Sequence, residues 1–305
     1  MEQILILLPV LALCYLLGWL FIPKGNFIHE LWHLPPFWLQ VISTSSKGLQ
    51  EERVSYGKHA RQYFLFYQPA GPPDKAKLAV LYFHGGGWRF GRPEQFRSHA
   101  RMLSRLGYAV LLPSHRRTPR YSYLHIRDDL DRLLQAAYAH LRQKGLAHCP
   151  VVIGGMSAGG NVAALAAFRP PAALPDTWIR GLFALGAPLN LEQMPRMVPV
   201  RHFAGTQNSG TFRDASPINY LQAGTNIPTL IIHGKKDGMV PYDSVVAFAA
   251  RMLACNLAET RFITIPGGTH LIVASWVFQS GITRTSLLDW MKDREIPGNE
   301  KKGLS

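Results

Sequence analysis

The run Val151-Val152-Ile153-Gly154-Gly155-Met156-Ser157-Ala158-Gly159-Gly160-Asn161 constrains the fold of this chain more than any other stretch. An apolar segment of strand length enters Gly155-Met156-Ser157-Ala158-Gly159, and an Ala-rich segment of helical character, Asn161 to Phe168, leaves it. The pattern is strand, sharp turn, helix, with a serine at the apex, the arrangement called a nucleophile elbow. In so tight a turn, side chains two before and two after the serine would clash. Both positions therefore favour glycine, which also tolerates positive φ. The hydroxyl then stands exposed at a helix N-terminus, where backbone N–H groups and the helix dipole favour developing negative charge. An ordinary Gly-rich turn shares this spelling, so the weight comes from partners found elsewhere.

The first partner follows Leu78 to Phe83, a continuous apolar run of strand length that delivers His84-Gly85-Gly86-Gly87-Trp88. A serine attacking a carbonyl creates an oxyanion, which needs backbone donors fixed in advance. A glycine run at a strand end lets the backbone approach without side chains in the way. Gly85 and Gly86 are the expected donors, with Ala158, the residue after the serine, as the third. His84 is read as a histidine bracing this loop. Trp88 and Met156 are the candidate walls of the substrate site.

A serine nucleophile also needs a base, and the base needs an orienting carboxylate. Thr229 to Ile232 reads as a strand leading through His233-Gly234-Lys235-Lys236 to Asp237, with Asp243 as the nearest rival acid. Arg261 to Ile265 is the next strand, and Pro266-Gly267-Gly268-Thr269 presents His270. The order Ser157, Asp237, His270 is the order that nucleophile-elbow enzymes use. His115, His125, His202 and His233 lack a comparable setting and are read as surface or packing residues. No metal ligand set and no organic cofactor is expected.

Between these points strands alternate with helices: strands at Gln62–Gln68, Tyr108–Leu112 and Gly181–Leu185, helices at Pro93–Leu106, Arg127–Leu141, Tyr242–Leu253 and Leu271–Met291. That alternation predicts an α/β fold with a mostly parallel central sheet and helices on both faces. A Pro-, Met- and Gly-containing insertion, 192–213, is either a cap whose Met194, Met197, Val198 and Phe203 line an acyl pocket or a plain surface excursion.

Residues from about 60 to 292 resemble the α/β-hydrolase superfamily, specifically its HGGG-bearing esterase branch related to hormone-sensitive lipase and bacterial acetyl esterases. His84-Gly85-Gly86-Gly87-Trp88, Gly155-Met156-Ser157-Ala158-Gly159-Gly160, Asp214-Ala215-Ser216-Pro217, Asp237 and His270 carry the resemblance. It implies a serine carboxylic-ester hydrolase acting on short- to medium-chain acyl esters. Amidase, formamidase or peptidase-like hydrolysis by the same triad stays open, as does a binding module without catalysis. Two places depart from the branch. His115-Arg116-Arg117-Thr118-Pro119 stands where Tyr-Arg-Leu-Ala-Pro is usual, and the acid loop lacks the Asp-Pro-Leu pattern.

The remaining inference concerns the N-terminus. Ile4 to Ile22 is almost unbroken in apolarity, and at 1.5 Å rise per residue it spans about 28 Å, close to the hydrocarbon thickness of a bilayer. Trp19 and Lys24 suit an interfacial end, and no Lys or Arg precedes the run as a cleaved signal would require. Residues 1–24 are therefore expected to form a transmembrane anchor, 25–50 a juxtamembrane connector, 51–292 the catalytic domain and 293–305 a polar tail. The basic balance, net charge +14, fits either an anionic membrane surface or a well-solvated exterior. No nucleic-acid-binding motif accompanies it. Lys24, Lys47, Arg53 and Lys58 after the span weakly favour a cytoplasmic domain. Cys14, Cys149 and Cys255 compose neither a disulfide framework nor a metal set.

Overall fold

Strands that are apolar at every position need cover on both faces, and this requirement shapes the molecule. The computed structural model describes residues 2–43 and 50–295. Eight strands form one sheet: β1 (Glu51–Ser55), β2 (Tyr63–Tyr67), β3 (Leu78–Phe83), β4 (Tyr108–Pro113), β5 (Val151–Met156), β6 (Ile179–Leu185), β7 (Thr229–Gly234) and β8 (Thr260–Ile265). Their spatial order is β1-β2-β4-β3-β5-β6-β7-β8. β1 and β2 join antiparallel at one edge, and every pairing from β4 to β8 is parallel. The elbow strand β5 lies in the middle, between β3 and β6.

The helices are α1 (Glu2–Phe21), α2 (Phe27–Ser43), α3 (Arg97–Arg105), α4 (Tyr123–Gln143), α5 (Ala158–Phe168), α6 (Val198–Ala204), α7 (Gly210–Asp214), α8 (Tyr242–Cys255), α9 (His270–Ala274) and α10 (Ile282–Lys292). Alternate strand residues divide between two cores, as the period of two demands. Phe64, Phe66, Leu81 and Phe83 pack with Leu130 and Leu133 of α4, Val162 of α5 and Val245 of α8. Leu65, Tyr67, Val80 and Tyr82 pack on the other face with Val41 of α2, Leu103 of α3 and Trp290 of α10. The sheet is thus a mostly parallel layer between two helical layers.

Local differences from expectation have local causes. The helix expected over Leu271–Met291 is two, α9 and α10, and Arg284 of α10 spans the break, donating from its guanidinium to the Trp276 and Val277 carbonyls. The helix expected from Pro93 starts as a tight turn and becomes α-helical at Arg97. β1 was not expected. Its Glu51-Glu52-Arg53-Val54-Ser55 is polar because it is an edge strand, and Glu51 pairs with Arg97 and Tyr67. Of the tail, Glu295 accepts a hydrogen bond from Tyr108 at 2.6 Å, and 296–305 lie outside the described residues.

The transmembrane expectation for 1–24 is overturned: among the described residues no helix is long and apolar enough to cross a membrane. The apolar run is helical, but the chain turns at Gly25 and α2 folds back against α1. Tyr15 stacks on Trp32 at 5.4 Å, and the two exchange hydrogen bonds with each other's carbonyls at 2.9 and 2.8 Å. Trp19 packs on His33 at 4.0 Å. Trp19, expected at a bilayer interface, is engaged with another helix.

α2 in turn is seated on the hydrolase sheet. Phe37 and Val41 are buried in its second core, and Trp38 meets Phe96 edge-on at 6.1 Å. Phe37→Ala is expected to lower stability by about 3 kcal/mol, the cost of deleting a buried aromatic. Urea unfolding measures it as a lowered midpoint with an unchanged slope, whereas a loosely attached α2 would move the midpoint hardly at all.

Candidate active site

The elbow is built by one close approach. β5 runs beside β3, and a Cβ at either Gly155 or Gly159 would collide with the Phe83 carbonyl oxygen. Ser157 between them takes φ 53° and ψ −131°, a conformation costly for a residue with a side chain and kept only where the surroundings enforce it. The Ser157 N–H is bonded to the Leu185 carbonyl at 2.8 Å, and its own carbonyl accepts from Gly160 at 2.9 Å to open α5. β3 and β6 therefore hold the turn from both sides.

The acid and the base leave the next two strands. Asp237 follows β7 and His270 opens α9, and His270 Nδ1 lies 2.8 Å from Asp237 Oδ2. The other carboxylate oxygen accepts from the Met239 and Val240 N–H groups, each at 2.8 Å. The two loops are also stitched directly, Lys236 N–H to the Gly268 carbonyl at 2.9 Å. Asp243, the rival acid, lies in the first turn of α8.

Burial on its own would lower the pKa of His270. The Asp237 charge and hydrogen bond, with Glu30 behind them, outweigh it and hold the imidazole above its ordinary value. For Asp237, burial would raise the pKa, and the His270 charge and hydrogen bond, then His233, keep it below the usual carboxylate value. The pair is thus set up to stabilise an imidazolium, which a base needs when it accepts a serine proton.

Ser157 and His270 open onto one cavity of about 460 Å³, whose wall includes Gly85, Gly86 and Met156. Ala158 follows Ser157 as the first residue of α5. His84 turns its Nδ1 to the Gly85 carbonyl at 2.7 Å and stacks on Phe96 at 5.3 Å. Burial first and Arg117 second push its pKa down to about 3, so it is a neutral brace for the glycine loop.

Trp88 is placed elsewhere. It is buried, stacked on Phe203 at 4.3 Å, and its indole N–H reaches Asn161 at 3.3 Å, so it is not in the cavity wall. From the insertion 192–213 only Pro199 reaches the cavity. Met194, Met197 and Val198 line a separate depression.

Several residues of the site were not found by sequence reasoning. Leu34, Phe37 and Trp38 of α2 wall the cavity, together with Phe90 and Met239. His233 is fully buried, with Nε2 3.0 Å from the Val240 carbonyl and 3.5 Å from Asp237. Glu30 of α2 is also fully buried and accepts from the main chain of both triad loops. Burial of Glu30 inside an apolar, aromatic helix is the only trace in the sequence, a lone carboxylate with no visible partner.

The sequence model of the alpha/beta hydrolase fold family matches residues 80–274, from β3 to α9. This chain belongs to the α/β-hydrolase family. Among relatives of this α/β-hydrolase, the esterase LipQ of Mycobacterium tuberculosis is 26% identical over 264 residues, 79% of this chain and 62% of its own length. Esterase LipC of the same organism is 25% identical over 73% of this chain and 60% of its own. The chain thus spans about three fifths of the length of the curated relatives it matches. The fold is also that of a truncated carbohydrate esterase from gut microbiota, with a TM-score of 0.68 at 17% identity over 80% of this chain and 96% of the other. A thermophilic esterase of Thermogutta terrifontis, bound to butyrate, superposes with a TM-score of 0.64 at 22% identity over 82% and 94%.

The raised His270 pKa fixes the sign of a pH dependence. Only neutral imidazole accepts the serine proton, so reactivity falls as pH drops through a value above the ordinary 6.5. The rate of Ser157 labelling by a fluorophosphonate, followed against pH, is expected to show that acid limb. A midpoint below 6.5 would contradict the Asp237–His270 pairing.

Proposed function

We propose that this α/β-hydrolase is a serine carboxylic-ester hydrolase for short- to medium-chain acyl esters, working through an acyl-enzyme. The observation that carries the reading is convergence. A strained, half-buried serine, a histidine paired with a buried carboxylate and two glycines at a strand end meet at one apolar cavity.

The Ser157 hydroxyl attacks the ester carbonyl carbon and passes its proton to His270 Nε2, the nitrogen left free by the Nδ1 bond to Asp237. The oxyanion that forms accepts from Gly85, Gly86 and Ala158 N–H, donors already in place before the reaction. Collapse breaks the bond between the acyl carbon and the alkoxy oxygen, and Nε2 gives its proton to the departing alcohol. Water then attacks the acyl carbon and loses a proton to Nε2, the bond between that carbon and Ser157 Oγ breaks, and Nε2 returns the proton to Oγ as the acid leaves. The names of the relatives, esterases in each case, support ester over amide. A cavity of about 460 Å³ walled by Met156, Phe90 and Trp38 suits an acyl group of modest length.

Hydrolysis of p-nitrophenyl esters from acetyl to palmitoyl tests the reading. The full chain is expected to prefer short to medium acyl groups. Ser157→Ala is expected to lose roughly a million-fold in kcat, as removal of a triad nucleophile does. Activity on anilides with none on esters would turn the assignment to amide hydrolysis, and no labelling of Ser157 by a fluorophosphonate would remove catalysis altogether.

A further inference from the structure

Glu30 stands in the first turn of α2, fully buried, far along the chain from everything it binds. Its Oε1 accepts from the His270 N–H at 2.6 Å and the Gly238 N–H at 3.1 Å, and its Oε2 accepts from the Leu271 N–H at 3.3 Å. One carboxylate therefore clasps the loop of the triad acid and the main chain of the triad base. The fit is close, because a Cβ on Gly238 would run into the Asn26 carbonyl that precedes α2. The same helix carries Leu34, Phe37 and Trp38 into the cavity wall.

A buried carboxylate is expensive to desolvate and is retained where hydrogen bonds and charge repay it. Three amides satisfy its hydrogen bonding here, and the imidazolium formed during catalysis supplies the charge. We propose that Glu30 is a positioning residue of the hydrolytic site, fixing the registry of the Asp237 and His270 loops and stabilising the protonated base from behind. This rests on the hydrolase reading above. Around the imidazole stand Asp237 at 2.8 Å, Glu30 across the His270 N–H, and His233 beyond Asp237, which burial keeps below its ordinary pKa. His29, the neighbour of Glu30, is likewise lowered by burial.

The test uses the full chain and two variants, Glu30→Gln, which keeps the shape but loses the charge and one of the two acceptor oxygens, and Glu30→Asp, which keeps the charge one carbon shorter. Rates are referred to the concentration of reactive Ser157, titrated with a fluorophosphonate, so that misfolded protein does not count. Glu30→Gln is expected to lower kcat roughly 10- to 100-fold, the effect of small misplacement of catalytic groups, with KM nearly unchanged. Its acid limb should move to lower pH, since the imidazolium loses a stabilising charge. Glu30→Asp should keep the limb near its wild-type place and recover part of kcat. A Glu30→Gln protein with only a lower melting temperature, its kcat and pH profile unchanged, would reduce Glu30 to a brace and overturn the proposal.

If neither variant folds, hydrogen exchange on the wild type decides. The Gly238, His270 and Leu271 amides are expected to open together with those of α2, and exchange independent of α2 would overturn the link. The two readings fail differently. Wild type without ester hydrolysis or labelling sinks both, whereas an active wild type with an indifferent Glu30→Gln sinks this one alone.

Discussion

The turn that carries Ser157 is set by the Phe83 carbonyl oxygen. Gly155 and Gly159 both abut it, one from the end of β5 and one from the first turn of α5. The next residues along the chain from Phe83 are His84 and Gly85, the start of the glycine loop. A single main-chain atom therefore sets how closely the Ser157 turn and the glycine loop approach, without any side chain to relax. Ser157 accepts an unfavourable backbone conformation because neither flank has room to yield.

The acid and base belong to a softer construction. They arrive on loops after β7 and β8, to one side of the sheet centre, and are held by hydrogen bonds as well as by close main-chain contact at Gly234 and Gly238. Two opposing electrostatic effects act on them. Burial disfavours charge on both, and pairing favours it, with pairing the winner for Asp237 and for His270. His84 shows the same burial with no carboxylate beside it, and there burial wins. Three residues of similar depth thus reach different protonation behaviour through their neighbours alone.

How much of this was legible in the sequence follows from range. The elbow and the glycine loop are local spellings, each forced by the backbone within a few residues, and the structure brings Ser157 and His270 of the expected order onto one cavity, with Asp237 bonded to His270. The α/β alternation was readable because buried strands are apolar at every position. What escaped depended on contacts between distant segments. Trp88 sits beside the glycine loop in sequence, yet it turns to Phe203 and Asn161. The apolar run before Gly25 has the length of a bilayer span, yet pairing of Tyr15 with Trp32 draws on a second helix that hydropathy does not register. Glu30 had no sequence partner to declare it, since its ligands are main-chain amides, which every residue but proline carries.

Glu30 and His270 are separated by 240 positions, and that distance bears on how the protein is made. During synthesis α2 leaves the ribosome long before β8 and α9 exist. Until they do, Glu30 has no amide to satisfy it, and burying it would carry a penalty of several kcal/mol. The clasp on the two loops can therefore form only when almost the whole hydrolase domain has emerged, so this end of the site is completed by the meeting of an early-made and a late-made part of the chain.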